Sequence, residues 1–173
     1  MLMLSKEMID ALNEQINMEL YSAYAYAAMA SYFENKALKG FAHWMHLQTD
    51  EEIMHARKLR AYLHDRGAAV TFAAIDAPQV DWKTPLDVFE AALGHERKVT
   101  ESINKLSTLS VKQNDHATHA LLEWFVAEQV EEEANADQVV QQLKLVEGAP
   151  GGLFLLDREM AQRQADPAAG DAS

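Results

Sequence analysis

Apolar residues recur three and four positions apart through most of the chain, the period of helices that bury one face. Met8, Leu12, Ile16, Ala23, Ala27 and Ala30 mark such a stripe over residues 5–33, with Ser5 placed as the N-cap. A second stripe of Phe41, Met45, Leu59 and Tyr62 runs over residues 37–66 and stops at Gly67, the residue type that tolerates the left-handed turn closing a helix. The period is then lost: residues 67–84 carry Val70, Thr71, Phe72, Ile75, Pro78 and Val80 without helical spacing. Thr84 and Pro85, an N-cap followed by Pro at the first helical position, open a third helix that continues through Phe89, Leu93, Ile103 and Leu106 to about residue 112. After a tight turn at 113–115, Leu122, Phe125, Ala136, Val139 and Leu143 carry a fourth helix to about residue 146, where Gly148, Pro150, Gly151 and Gly152 end it. Leu153, Phe154, Leu155 and Leu156 then begin a short fifth helix whose apolar face needs a partner. The pattern predicts an all-α four-helix bundle. Its long crossover lets the second and third helices run parallel, because such a connection must travel the length of the bundle.

Composition strengthens this picture. Seven Gly and four Pro are few for 173 residues, and the chain is rich in residues that lose little side-chain entropy in a helix. One domain over residues 1–165 is expected, with a small polar tail over 166–173 read as disordered. There is no Cys, so any metal must be held by oxygen and nitrogen. The net charge of −12 argues against nucleic acid and membrane partners and favours cations nearby, although acidity alone is weak evidence for metal work. Without a signal-like N-terminus or a long uncharged apolar run, a soluble, cytoplasmic protein is expected.

Polar residues interrupt the apolar stripes at matched places. Glu19 lies three after Ile16 and four before Ala23; Glu52 lies seven from both Met45 and Leu59, with His55 three further on. Glu96 follows Leu93 by three, and Gln129 follows Phe125 by four, with Glu132 three beyond it. Ionised carboxylates are costly to bury, so these groups protonate, lie near helix ends or share a cation. The spacing favours the last. Glu19 to Glu52 and Glu96 to Gln129 are each 33 residues, and each half ends in a pair three apart. Folded as two antiparallel helix pairs, that layout brings all six residues to one level of the bundle. Carboxylates with one imidazole suit iron or manganese.

The segments Asn-Glu-Gln-Ile-Asn-Met-Glu-Leu-Tyr-Ser-Ala at 13–23, Glu-Glu-Ile-Met-His at 51–55, His-Glu at 95–96 and Glu-Gln-Val-Glu-Glu-Glu at 128–133 closely resemble bacterial non-haem ferritins. The resemblance covers nearly the whole chain. It implies a ferritin-like bundle that binds Fe2+ at an intrabundle di-iron ferroxidase centre, oxidises it with O2 or H2O2, and stores Fe3+ mineral in a homo-oligomeric shell of 24 subunits. Glu19, Glu52 and His55 match one iron site; Glu52, Glu96 and Glu132 match the other, with Gln129 beside it. Tyr26 matches a tyrosine near the centre, its alternative being a core aromatic with its hydroxyl satisfied, and Trp124 matches a family position close by, where the sequence alone favours plain packing. Glu51, Glu128 and Glu131 match a third iron site at the inner surface; without the resemblance they read equally well as solvated charges.

Related readings fit less well. Ferritin-like di-iron bundles of the symmetric kind carry Glu-x-x-His twice, whereas here the second motif is Gln129-x-x-Glu132. Bacterioferritins bind haem through a Met directly after the shared Glu of the second helix; Ile53 stands there and Met54 is one residue off, so no haem is expected. Miniature ferritins place their ligands between subunits, and di-iron oxygenases need a larger chain or a partner. A purely structural bundle with a polar interior is the rival from another class. His43, His46, His64, His95, His116 and His119 complete no second ligand set and are read as surface or packing residues. His119 and Leu122 stand near the start of the fourth helix, where animal ferritins carry acidic channel residues.

Overall fold

A computed structural model describes residues 4–165. The predicted tail at 166–173 lies outside the described residues. Helices α1 (Lys6–Asn35), α2 (Lys39–Asp65), α3 (Pro85–Lys112) and α4 (His116–Leu145) form the bundle, and α5 (Gly152–Met160) packs across its end. The pairs α1–α2 and α3–α4 are hairpins, joined mainly through contact of α1 with α3.

The caps are the ones their residue types favour. Ser5 Oγ accepts from Met8 N at 3.0 Å. Thr84 and Asp87 form a reciprocal capping box, and Asp115 accepts from Thr118 N at 3.2 Å. The second helix starts at Lys39, two residues later than its stripe suggested. Ala37 is occupied closing α1 instead: at φ +58° its N–H reaches the Glu34 carbonyl, while Leu38 N–H reaches that of Phe33. This pair of bonds is the Schellman ending, built here on alanine rather than glycine.

The crossover is tied along α1. Asn13 Nδ2 donates to the Ala69 carbonyl, Asn13 Oδ1 accepts from Thr71 N at 2.7 Å, and buried Trp82 meets the Tyr32 ring at 5.5 Å. From Asn13 to Tyr32 the helix rises roughly 28 Å, which takes at least about eight or nine extended residues to span. That length explains the loop.

The interior has three layers. One apolar cluster gathers Phe33, Phe41, Trp44, Phe89 and Val140; the other gathers Met8, Leu12, Leu59, Ile103 and Phe125. Between them lie Gln15, Glu19, Gln48, Glu52, His55, Glu96, Gln129 and Glu132, all buried. The flanking clusters hold the helices at a spacing that the polar layer alone could not enforce.

Helix α5 docks by a close approach. Leu38 gives α2 no side-chain cap, and Asp157 of α5 supplies one, its Oδ1 accepting from Gly40 N at 2.9 Å and Phe41 N at 3.0 Å. Gly40 leaves no room for more: a Cβ there would fall 1.6 Å from the Asp157 carbonyl oxygen. Gly40→Ala is therefore expected to displace α5 and cost about 1–3 kcal/mol, whereas Asp157→Ala loses the cap for about 1 kcal/mol. Thermal unfolding checks both; an unchanged midpoint in Gly40→Ala would contradict this docking.

Candidate metal centre

Each ligand candidate sits mid-helix on an inward face, where i, i+3 and i+4 neighbours share one side. Glu19, Glu52 and His55 each offer one ligand atom within 4.8 Å of the others, and all three are buried. His55 Nδ1 lies 3.5 Å from Glu52 Oε2. Trp124 packs edge-on to the His55 ring at 5.5 Å and bears Lys58 on its own face at 4.1 Å, so it fixes the imidazole as well as filling space. Glu96, 0% exposed, faces the same interior, held by the Tyr26 hydroxyl at Oε1 and by Gln129 Nε2 at Oε2, 3.2 Å away. Glu132 Oε2 accepts from Gln48 Nε2 at 2.8 Å.

Two glutamines missed at the sequence level complete the layer. Gln15 donates to Glu19 at 2.8 Å and accepts from Ser102, and Gln48 orients Glu132. They too are 33 residues apart, each four before a buried Glu, so the repeat that located Glu19 and Glu52 extends to them. These donors are neutral. They aim carboxylates without supplying a counter-charge.

Of the residues matched to the third iron site, Glu51 is buried, Glu128 half-buried and Glu131 exposed. They line one cleft of about 380 Å³ between α2 and α4, together with His55, Glu132 and Met54. Arg163, from the segment after α5, enters the same cleft and pairs with Glu51 at 2.9 Å. Nothing in the helical pattern pointed to Arg163, because it lies beyond the last periodic element. His43 bonds the Arg163 carbonyl, His95 bonds Ser22 Oγ at 2.7 Å, and His46 is solvent-facing, all packing or surface roles. Leu122 is fully buried in the core.

Electrostatically, the layer is under strain without a cation. Burial pushes the Glu19 carboxyl from its ordinary 4.5 to about 7; the neighbouring Glu52 carboxyl and the Gln15 amide oppose the rise and Glu96 adds to it. Glu132 is pushed up to about 8 by burial and by the charges of Glu96 and Glu51, against the pull of Gln48 and Arg163. Burial and the neighbouring Glu96, Glu19 and Glu132 hold Glu52 well above the usual carboxylate range. Burial also raises Glu96, although Tyr26 and Gln129 oppose it. Burial and the same carboxylates keep Tyr26 a phenol, which makes it a proton donor to Glu96. Glu19 Oε2 and Glu52 Oε2 have no hydrogen-bond partner. Orphaned buried oxygens converging beside an imidazole are what a divalent cation would satisfy, so these residues fit iron.

Comparison with known proteins agrees with this chemistry. Residues 9–146 match the ferritin-like domain family. The chain is 41% identical to a bacterial non-heme ferritin of Staphylococcus saprophyticus over 95% of its length and 98% of the relative's, and 38% identical to one from Staphylococcus aureus over 95% and 99%. Among solved structures, an engineered closed form of Archaeoglobus fulgidus ferritin superposes with a TM-score of 0.92 at 44% identity, covering 94% of this chain and 99% of that one. An open-pore ferritin from the same archaeon gives 0.91 at 45% identity over 93% and 98%.

The raised carboxyls predict a pH dependence. In the metal-free protein Glu19 and Glu132 bind protons that the unfolded chain releases near 4.5, so their contribution favours the fold below that value and is lost as pH rises through about 7 to 8. Metal-free protein should thus melt at a lower temperature at pH 8 than at pH 5.5, and a Glu19→Gln, Glu132→Gln variant should flatten that slope. Scanning calorimetry across this window tests it; equal slopes in the two proteins would refute the cause.

Proposed function

Because the chain belongs to the ferritin family, it is an iron-storage protein with ferroxidase activity, and we propose that oxidation runs at a pair of iron sites that share Glu52. The observation that carries this reading is the buried set of Glu19, Glu52 and His55 with two unpartnered carboxylate oxygens. Glu19 and His55 complete one site, Glu96 and Glu132 the other, and Gln129 lies beside the second. Fe2+ is the substrate; bound there, it supplies the electrons that O2 or H2O2 accepts, and ferric iron is the stored product.

The protein's own part is positioning and proton traffic. The raised carboxyls release their protons as metal enters, so binding is favoured by rising pH and leaves the layer closer to neutral. Gln15 and Gln48 hold Glu19 and Glu132 by one oxygen each. The Tyr26 hydroxyl holds Glu96 and brings a phenolic proton to the centre. The apolar clusters on both sides keep bulk water from the pair. Glu51, Glu128 and Glu131 form a third site on the α2–α4 face, through which iron leaves the centre.

Storage requires a container, and ferritins are multi-subunit shells; we assign this one 24 subunits. Helix α5 offers Phe154 and Leu155, 63% and 66% exposed, as an apolar surface for neighbouring copies. No helix among the described residues is long and apolar enough to cross a membrane, and the cytoplasm is the working compartment assigned here.

Anaerobic titration of the full chain should find about two tightly bound ferrous ions, as the two ligand sets require. A Glu52→Ala, His55→Ala variant should lose them and slow oxygen consumption by more than about a hundredfold, while its helical circular dichroism persists. Undiminished oxidation in that variant would remove the di-iron assignment. Native mass after aerobic iron loading reads the shell, and monomers or dimers alone would contradict storage.

A further inference from the structure

The cleft beside the di-iron layer already contains a cation. Arg163 Nη2 donates to Glu51 Oε2 at 2.9 Å, in an ion pair whose side chains are 19% and 7% exposed. The guanidinium lies 4.4 Å from the Trp44 ring centroid, and Nη1 reaches the Trp44 carbonyl at 3.5 Å. The Arg163 carbonyl accepts from His43, and upstream Asp157 clamps α5 onto the start of α2. Contacts to five residues of α2, Gly40, Phe41, His43, Trp44 and Glu51, therefore set where this side chain can reach.

Its location conflicts with metal binding. Glu51 can direct Oε2 at a guanidinium or at an iron ion, and a fixed charge in a cleft lined by Glu51, Glu128, Glu131 and Glu132 repels an arriving dication. Elsewhere in the layer the carboxylates are oriented by uncharged donors, Gln15, Gln48, Gln129 and Tyr26. Arg163 is the exception. We propose that Arg163 is a tethered cation that competes with iron for Glu51, so that a third metal ion occupies the cleft only by displacing the guanidinium.

This rests on the assignment of Glu51, Glu128 and Glu131 as a third site. It makes Arg163 a positioning residue that sets when iron moves out of the pair: with little iron Glu51 stays paired, and with more iron the third ion displaces the guanidinium. Competition at one oxygen is reversible, and it leaves Glu19, Glu52 and His55 untouched.

The test uses Zn2+, which matches ferrous charge without redox chemistry, and compares wild type with Arg163→Gln and Arg163→Lys as full chains. Calorimetry should find the equivalent held by Glu19, Glu52 and His55 unchanged and the weaker third equivalent tightened on the order of tenfold in Arg163→Gln, the worth of one lost charged hydrogen bond. Arg163→Lys, which keeps the charge, should stay near wild type. Tryptophan emission gives an independent reading: a change accompanying the third equivalent in wild type, as the guanidinium leaves Trp44, should be missing in Arg163→Gln. Equal third-ion affinity in wild type and Arg163→Gln, or no third ion in either, would overturn the competition while leaving the di-iron pair standing. A wild type that takes up no zinc at all would overturn the pair and the competition together.

Discussion

The rest of the molecule is arranged around carboxylates that repel one another in a dry layer. Two unit charges 4 Å apart interact with about 4 kcal/mol at an effective dielectric of 20, and a domain's whole stability is only about 5–15 kcal/mol. Glu19, Glu52, Glu96 and Glu132 cannot all be ionised together without a counter-charge. Protons serve in the metal-free protein, which is why their carboxyls titrate high, and in the function proposed above divalent iron replaces them. The exchange needs helices that stay in place while the charge changes. Aromatic and aliphatic clusters above and below the layer provide this, since neither depends on the ionisation between them.

The same constraint decides which groups orient the ligands. A lysine or arginine beside Glu19 or Glu96 would lower the electrostatic cost permanently, but it would also fill the role of the metal. Amides and a phenol avoid that. Gln15 carries this furthest: its carbonyl is fixed by Ser102, so its amide can only donate to Glu19. Gln129 does likewise, with Nε2 directed at Glu96 and Thr100. Among the described residues Arg163 brings its charge to Glu51, on the edge of the layer, where its attraction is partly screened and its side chain has solvent to retreat into.

Much of this was legible in the sequence because it is periodic. The helices, their order, the crossover and the caps at Ser5 and Thr84 follow from spacing and residue type. So do the inward directions of Glu19, Glu52, His55, Glu96, Gln129 and Glu132, since a polar residue on an apolar stripe betrays itself. The start of α2 was misplaced because alanine carries no signal for a left-handed turn, and Ala37 adopts one. Gln15 and Gln48 were overlooked although they share the 33-residue repeat, because a neutral amide on a stripe attracts less notice than a charge. Arg163 could not be found this way at all. Its position depends on how α5 returns across α2, a tertiary relation with no period to reveal it.

That return gives α5 two faces with different obligations. Outward it presents Phe154 and Leu155, which gain stability only when another copy covers them. Inward, Leu156 and Met160 are buried and Asp157 caps α2. A helix of nine residues is too short to be stable alone, so both faces stabilise one conformation. Whatever holds its outer face therefore also holds Asp157 on Gly40, and Asp157 on Gly40 directs the following segment toward Glu51. The outer face of α5 and the Arg163–Glu51 ion pair are in this way joined through one short stretch of backbone. That backbone is wedged where only glycine allows it, since a Cβ at position 40 would fall 1.6 Å from the Asp157 carbonyl oxygen.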